Sequence, residues 1–146
     1  MKKFLSTTFL FVLIDRIIKI LVQVFLTGKK IFIIDNFFYL VNVENDGAAF
    51  SMLEGKQWLL IMIGVIASIV IIYYVKKNDI KGIGFSLLLG GVIGNLIDRV
   101  VYRYVIDYIG FILFNRYMPI FNFADMAIVI GAFIIIFWGD KNEVKN

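Results

Sequence analysis

Four long apolar runs constrain this 146-residue chain more than any other feature of its sequence. They cover approximately residues 4–26, 58–75, 83–101 and 121–138. Each has about 18 to 23 residues, and about 20 are needed for a helix to cross the hydrocarbon core of a bilayer. The sequence therefore predicts a mainly α, polytopic membrane protein. We expect four transmembrane helices in a single membrane-embedded domain over residues 1–146.

Composition supports a membrane domain and excludes several kinds of chemistry. The chain is 61% hydrophobic with a mean hydropathy of +0.90, which is too apolar for a soluble domain of this size. It has no cysteine and no histidine, which excludes disulfides, thiol nucleophiles, Ser-His triads and His-ligated zinc. The net charge of +4 does not indicate nucleic-acid binding, because the lysines cluster at segment ends.

Basic residues set the predicted orientation. Seven lysines lie at the N-terminal tip, in the second connection and in the tail: Lys2, Lys3, Lys76, Lys77, Lys81, Lys141 and Lys145. Five basic residues lie in the other two connections: Lys29, Lys30, Lys56, Arg103 and Arg116. The positive-inside rule places the first group in the cytoplasm. Both termini are then cytoplasmic, and residues 27–57 and 102–120 face outward.

The two predicted outer segments differ in character. Residues 31–43 are rich in Ile, Phe, Tyr and Val, with a turn signal at Asp35-Asn36. We expect a small antiparallel β-sheet there, at the extracytoplasmic surface. In the second segment, Tyr102, Tyr104 and Tyr108 are typical of interfacial aromatic residues. They predict a short interfacial helix or loop.

Polar residues from separate segments are predicted to meet at the outer membrane face. Asp107 lies in the last outer segment, and Asp125 lies at the start of the fourth run. Carboxylates at membrane depth are costly and indicate a functional site. Two nearby carboxylates share a proton, so the ionised one can activate water while the protonated one binds a scissile carbonyl. The constellation also includes Asn45, Asn95, Asp98, Arg99 and Asn122.

Some of these residues also have purely structural explanations. Asn122-x-x-Asp125 matches a helix N-cap with an acid at the N3 position, a role that is compatible with catalysis. Asp107 matches an ordinary carboxylate of an outer loop. Gly47 is consistent with a tight turn and close packing.

The charged residues inside the first and third runs favour ion pairing. Asp15 and Lys19 have the i, i+4 spacing and order of a favourable helix pair. Arg16 points to another face, where it snorkels to the interface or meets the bundle interior. Asp98 and Arg99 are adjacent and do not face each other. Arg99 is expected to pair elsewhere in the polar cluster or to anchor to lipid headgroups, and a structural ion-pair role is favoured for both residues over direct catalysis.

Five segments together resemble the lipoprotein signal peptidases, also called signal peptidase II. They occur in the order and spacing of that family across nearly the whole chain. The segments are Asp15-Arg16-Ile17-Ile18-Lys19, Val43-Glu44-Asn45-Asp46-Gly47-Ala48-Ala49-Phe50, Gly94-Asn95-Leu96-Ile97-Asp98-Arg99, Val105-Ile106-Asp107-Tyr108 and Phe121-Asn122-Phe123-Ala124-Asp125. The family often has Gln where Arg16 stands here.

The resemblance implies an intramembrane aspartic endopeptidase of the bacterial cytoplasmic (inner) membrane, with its active site at the extracytoplasmic face. It implies removal of the signal peptide from diacylglyceryl-modified prolipoproteins, on the N-terminal side of the lipidated cysteine. Asp107 and Asp125 would be catalytic. Supporting or substrate-binding residues would be Asp15, Lys19, Asn45, Gly47, Asn95, Asp98, Arg99 and Asn122. We expect no metal or cofactor, a monomer, and no partners beyond lipidated prolipoproteins and membrane lipids.

A small four-helix, proton-coupled transporter is the alternative function. Buried acids carry protons in such proteins, and Asp15 lies near the middle of the first run. A transporter would not explain the long first outer segment or the acids gathered at the outer face. The peptidase hypothesis explains both.

Overall fold

The computed structural model describes residues 1–47, 53, 55–80 and 82–138. Within them, four α-helices, one π-helical segment and four strands follow one another along the chain. They are α1 (Lys2–Leu26), β1 (Lys30–Ile34), β2 (Phe38–Asn45), α2 (Gln57–Lys77), α3 (Ile83–Tyr102), β3 (Val105–Leu113), β4 (Arg116–Tyr117), α4 (Phe123–Phe133) and the π-helical segment Ile134–Trp138. The four apolar runs are therefore helical, as predicted, with boundaries that differ by about two residues.

Helix α3 is the packing centre of the helices, because α1, α2 and α4 all contact it. Small residues allow these contacts to be close. A Cβ atom on Gly131 of α4 would lie 2.7 Å from the backbone oxygen of Gly84. A Cβ atom on Gly94 would lie 2.8 Å from Asp15 Oδ2 and 3.3 Å from Ala124 Cβ. Gly94 thus lets α1 and α4 bring acidic residues to the same part of α3.

The strands form one antiparallel sheet in the order β1-β2-β3-β4. This confirms the small antiparallel sheet predicted around residues 31–43. The β1–β2 turn lies at the predicted place, with Asn36 at φ 54°. In the β2–β3 ladder, Val43 lies opposite Asp107 and Asn45 lies opposite Val105. The end of β2 is therefore beside Asp107.

The second outer segment contradicts the prediction of a short interfacial helix or loop. It forms β3 and β4, joined by a tight turn in which Phe114 and Asn115 have φ of 51° and 59°. Residues 105–113 are mostly β-branched and aromatic, and β2 offers them a partner edge. Tyr108, predicted to be an interfacial aromatic residue, is instead only 5% exposed and belongs to the core.

Two apolar clusters lie among the described residues. One joins Val22 and Leu26 of α1 to Ile106 and Tyr108 of β3. The other joins Phe4, Val75 and Leu89, from α1, α2 and α3. The first cluster fixes the sheet to the C-terminal end of α1. Ile106 and Tyr108 flank Asp107 on β3, so the cluster supports the strand on both sides of Asp107.

Two of the described helices, α2 and α3, are long and apolar enough to cross a membrane. Helix α1 is long enough but carries charged residues near its middle. The apolar helix over Phe123–Trp138 is shorter. The four crossings predicted from the sequence stay a prediction. Lys81, Lys141 and Lys145, which contributed to the predicted orientation, lie outside the described residues.

Candidate active site

The predicted polar residues meet where the sheet adjoins the helices. Asn45 comes from the end of β2 and Asp107 from β3, while Asn95, Asp98 and Arg99 come from the last turns of α3. Asn122 and Asp125 begin α4, and Asp15 and Lys19 reach the same region from the middle of α1. Hydrogen bonds and ion pairs join these residues into one network. The structure thus brings the predicted constellation together.

Asp107 is buried on β3, with 3% of its surface exposed. Its Oδ2 accepts a hydrogen bond from Asn45 Nδ2 at 2.8 Å, and its Oδ1 accepts one from Asn122 Nδ2 at 2.6 Å. Burial raises the pKa of Asp107 to about 6, the charge of Asp125 adds to the rise, and the two asparagine donors oppose it. This carboxyl can therefore exchange a proton close to neutral pH.

Asp125 lies in the first turn of α4 and completes a capping box with Asn122. The Asp125 N–H donates to Asn122 Oδ1 at 2.9 Å, and the Asn122 N–H donates to Asp125 Oδ2 at 3.2 Å. The other carboxylate oxygen, Oδ1, accepts from Asn95 Nδ2 at 2.7 Å. The predicted N-cap is confirmed. The capping box uses Asp125 Oδ2, so Asp125 Oδ1 is free to bond to Asn95 in the site.

Asn122 connects the two acids. Its Nδ2 group donates to Asp107 Oδ1 at 2.6 Å and to Asn95 Oδ1 at 3.2 Å. Asn95 in turn donates to Asp125. Because an amide group supplies two N–H donors and one acceptor oxygen, this chain of asparagines fixes the two carboxyl groups relative to each other.

A cleft of about 290 Å³ opens beside both acids. Asp107, Asp125 and Asn45 contribute polar atoms to its wall, and Val105 and Pro119 contribute apolar ones. A second cavity of about 250 Å³ lies between α2, α3 and α4 and reaches Asp125 from the helical side. Its wall is largely apolar. The first cleft therefore contacts both acids, the second reaches only Asp125, and both are walled mainly by apolar atoms.

Asp15 and Asp98 form a second pair of buried acids, 1% and 0% exposed. Lys19 Nζ lies 3.0 Å from Asp15 Oδ2 and 2.7 Å from Asp98 Oδ2. Arg16 Nη2 lies 3.2 Å from Asp15 Oδ2 and 2.5 Å from Asp98 Oδ1. The predicted Asp15–Lys19 pair and the predicted ion pairing of Asp98 are confirmed, whereas Arg99, for which ion pairing was also predicted, donates to the backbone oxygens of Asn95 and Gly47. Of the two environments predicted for Arg16, the structure shows the bundle interior.

Arg99 and Gly47 connect α3 to the segment after β2. Arg99 Nη2 donates to the Gly47 backbone oxygen at 3.1 Å, and the Gly47 N–H donates to Asn45 Oδ1 at 2.9 Å. This orients Asn45, whose Nδ2 faces Asp107. Ala48, Ala49 and Phe50, which belong to the same predicted motif, lie outside the described residues.

Tyr108 is a site neighbour that the sequence analysis did not include. Its Oη accepts a hydrogen bond from the backbone N–H of Phe123 at 3.1 Å, in the first turn of α4. Burial raises the pKa of Tyr108, which keeps the phenol neutral. Its place beside Asp107, in the segment Val105-Ile106-Asp107-Tyr108, was the sequence signal for this role. Among the described residues, no three acidic, His or Cys side chains surround a possible metal position.

Comparisons with known proteins agree on one family. The family model described as "Signal peptidase (SPase) II" matches residues 7–139. Lipoprotein signal peptidases of Listeria monocytogenes serotype 4a (strain HCC23) and Listeria innocua serovar 6a are each 38% identical over 138 residues, covering 91% of this chain and 90% of the relative. Two solved structures of a bacterial membrane enzyme, obtained by the in meso method at 2.3 and 1.9 Å resolution, superpose with TM-scores of 0.80. The 2.3 Å structure is 28% identical and covers 100% of this chain and 93% of its own. The 1.9 Å structure is 30% identical and covers 93% of this chain and 91% of its own.

Proposed function

The chain belongs to the signal peptidase II family of bacterial membrane peptidases, and from that premise we propose that Asp107 and Asp125 are its catalytic pair. Membership makes the protein a peptidase that acts on lipoprotein signal peptides. The observation that carries the proposal is the chain of asparagines that holds these two acids at one cleft. The raised pKa of Asp107 supports a pair that shares a single proton.

In the proposed mechanism, the ionised carboxylate takes a proton from water as the water oxygen attacks the scissile carbonyl carbon. The protonated carboxyl gives its proton to the carbonyl oxygen, which yields a neutral tetrahedral intermediate. Collapse of the intermediate breaks the C–N bond and transfers a proton to the leaving nitrogen. The pair is then left with one proton, as at the start. Asn45, Asn95 and Asn122 keep the two carboxyl groups in position throughout.

The proposed substrate is a prolipoprotein whose cysteine already carries diacylglycerol, cut on the N-terminal side of that cysteine. The acyl chains would keep the scissile bond near the outer membrane interface. The apolar cavity between α2, α3 and α4, which reaches Asp125, suits such chains. Lipid binding would then position the peptide bond beside the acids.

This function requires a particular membrane arrangement, which is part of the proposal. Residues 1–146 form one domain that crosses the cytoplasmic membrane four times as a monomer. Both termini are cytoplasmic, and the sheet and the catalytic pair lie at the extracytoplasmic face. Burial of the charges of α1 supports this arrangement, because Asp15 and Lys19 meet partners inside the bundle rather than lipid.

Ion pairing also argues against a proton-coupled transporter. The mid-helix acid that such a transporter would use, Asp15, contacts both Lys19 and Arg16. Both contacts bind that carboxylate into an ion-pair cluster inside the bundle, which gives it a structural role in place of a proton-carrying one.

A cleavage assay with purified protein tests the proposal. Wild-type protein should cut a lipidated prolipoprotein and leave the unlipidated precursor essentially uncut. Asp107→Asn and Asp125→Asn should each abolish cleavage while thermal melts in detergent show a folded protein. A chelator should leave the wild-type rate unchanged. Wild-type turnover by either variant would remove that carboxylate from the mechanism, and equal cutting of both precursors would contradict the lipid requirement.

A further inference from the structure

Lys19 is fully buried, and each of its three N–H donors has an acceptor. Its Nζ lies 3.0 Å from Asp15 Oδ2, 2.7 Å from Asp98 Oδ2 and 3.0 Å from Asn95 Oδ1. An ammonium group has three donors and no acceptor. Lys19 therefore connects the ion-paired acids of α1 and α3 directly to an asparagine that contacts the proposed catalytic pair.

This contact determines which way the Asn95 amide faces. Lys19 and the Asn122 amide both present donors to it, so only the Asn95 oxygen can lie on their side. The Asn95 Nδ2 group then faces Asp125 Oδ1, at 2.7 Å. The reversed amide would place N–H groups against N–H groups and an oxygen against a carboxylate. Lys19 thus keeps Asn95 in the orientation that donates to Asp125.

Lys19 alone cannot neutralise its two acidic partners. Asp15 and Asp98 together carry two negative charges in a region with almost no solvent exposure. Arg16 supplies the second positive charge and contacts both carboxylates. A neutral residue at position 16 would leave one uncompensated negative charge beside the catalytic pair. Buried charges interact strongly with one another because their surroundings screen them poorly.

We infer that Arg16 is a positioning residue for the catalytic pair. It neutralises Asp15 and Asp98, so that Lys19 can hold Asn95 in place without adding net charge beside Asp107 and Asp125. The inference rests on the proposed function. It assigns a role to the position where the resembled family often has Gln.

The inference predicts shifts of opposite sign in the pH dependence of cleavage. Arg16→Gln leaves the cluster of Asp15, Lys19 and Asp98 with a net charge of −1, which favours protonated acids nearby. Both limbs of the kcat profile should move up by about half to one pH unit. Asp98→Asn leaves a net charge of +1, and both limbs should move down. The double variant is neutral again and should return close to the wild-type profile.

The charged and titratable groups around the catalytic pair come from three elements. Lys19 from α1, Arg99 from α3 and Tyr108 from β3 act on the pair directly. Asp15, Arg16 and Asp98 are linked to it through their contacts with Lys19 and with one another. Arg16→Lys keeps the cluster neutral and should keep the wild-type limbs. Arg116→Gln makes the same change in net charge on the exposed strand β4 and should cause no shift. These two variants separate a local charge effect from a general one.

The test of the inference is cleavage of the lipidated precursor by purified variants. The kcat is measured across pH at low ionic strength. Opposite shifts for the single variants and their cancellation in the double variant support the inference. If Arg16→Gln is active and the limbs of its kcat profile coincide with those of wild-type protein, the inference is wrong, even when the melting temperature changes. If Arg16→Gln fails to fold, the kcat profiles of Asp98→Asn and of the double variant are compared instead. Profiles that coincide would again contradict the inference. A wild-type protein that cuts nothing would instead contradict the proposed function.

Discussion

Asp15 and Asp98 lie against two cations, whereas Asp107 and Asp125 lie against asparagine amides. All four are acidic side chains in one part of the molecule, and three of them are at most 3% exposed. Lys19 and Arg16 each form ion pairs with both members of the first pair. Amide donors orient the second pair but stabilise its charge less, because neutral donors make weaker hydrogen bonds than charged ones.

This difference separates two uses of a buried acid. A carboxylate between cations joins helices through its ion pairs. A carboxylate among amides keeps its position in either protonation state, which general acid–base catalysis requires. Burial alone therefore does not identify a reactive acid. The type of hydrogen-bond donor around it is more informative.

The largest expected contrast is in stability. Lys19→Met removes one partner from the Asp15–Asp98 cluster and leaves a buried charge uncompensated, which should lower the free energy of unfolding by about 3–5 kcal/mol. Asp107→Asn removes a buried charge that has no such partner and should change stability far less. Thermal melts of both variants in the same detergent measure the contrast. Equal destabilisation by Lys19→Met and Asp107→Asn would contradict the distinction between the ion-paired acids and the amide-bonded acids.

A second contrast is in turnover. Asn95→Ala removes the donor to Asp125 Oδ1 and the acceptor for Lys19. We expect kcat to fall about 100-fold with little change in KM, since the loss concerns the reacting groups. Steady-state kinetics on the lipidated precursor provide the measurement. Asn42→Ala is the matched control, because Asn42 bonds to Thr27 instead of the site. An effect confined to KM would argue for substrate binding only.

The smallest expected effect concerns pH. Asn45 donates to Asp107 Oδ2 and favours its ionised form, opposing the burial that raises the pKa of Asp107 to about 6. Asn45→Ala should therefore raise that pKa further, and Asp107 should keep its proton to higher pH. The alkaline limb of the kcat profile should move up by as much as about one pH unit. A limb that stays in place or moves down would show that the asparagine acts only sterically.

Local sequence patterns were sufficient for the helices and for the α4 cap. The apolar runs gave the helices to within about two residues, and Asn122-x-x-Asp125 predicted the capping box that the structure contains. Both depend on interactions between residues near in sequence. The prediction failed at 102–120, because the partner edge that makes β3 a strand comes mainly from β2, which is distant in sequence.

The site residues could be named from the sequence, but their connections could not. Lys19 matched a pair with Asp15 at i, i+4, whereas its contacts with Asn95 and Asp98 depend on how α1 packs on α3. The contact of Arg16 with Asp98 likewise needs tertiary structure, since the periodicity of α1 indicated only a different face. Spacing along one element predicts which residues share a side. It does not predict which neighbour they meet.

The capping box at the start of α4 also bears on the order of synthesis. Asn122 and Asp125 leave the ribosome after the other residues of the site, so the hydrogen bonds of Asn122 to Asp107 and of Asn95 to Asp125 form last in synthesis. On the proposed mechanism, a partly translated chain is an incomplete peptidase. Cleavage activity on this mechanism therefore has to wait until the last helix of the chain has been made.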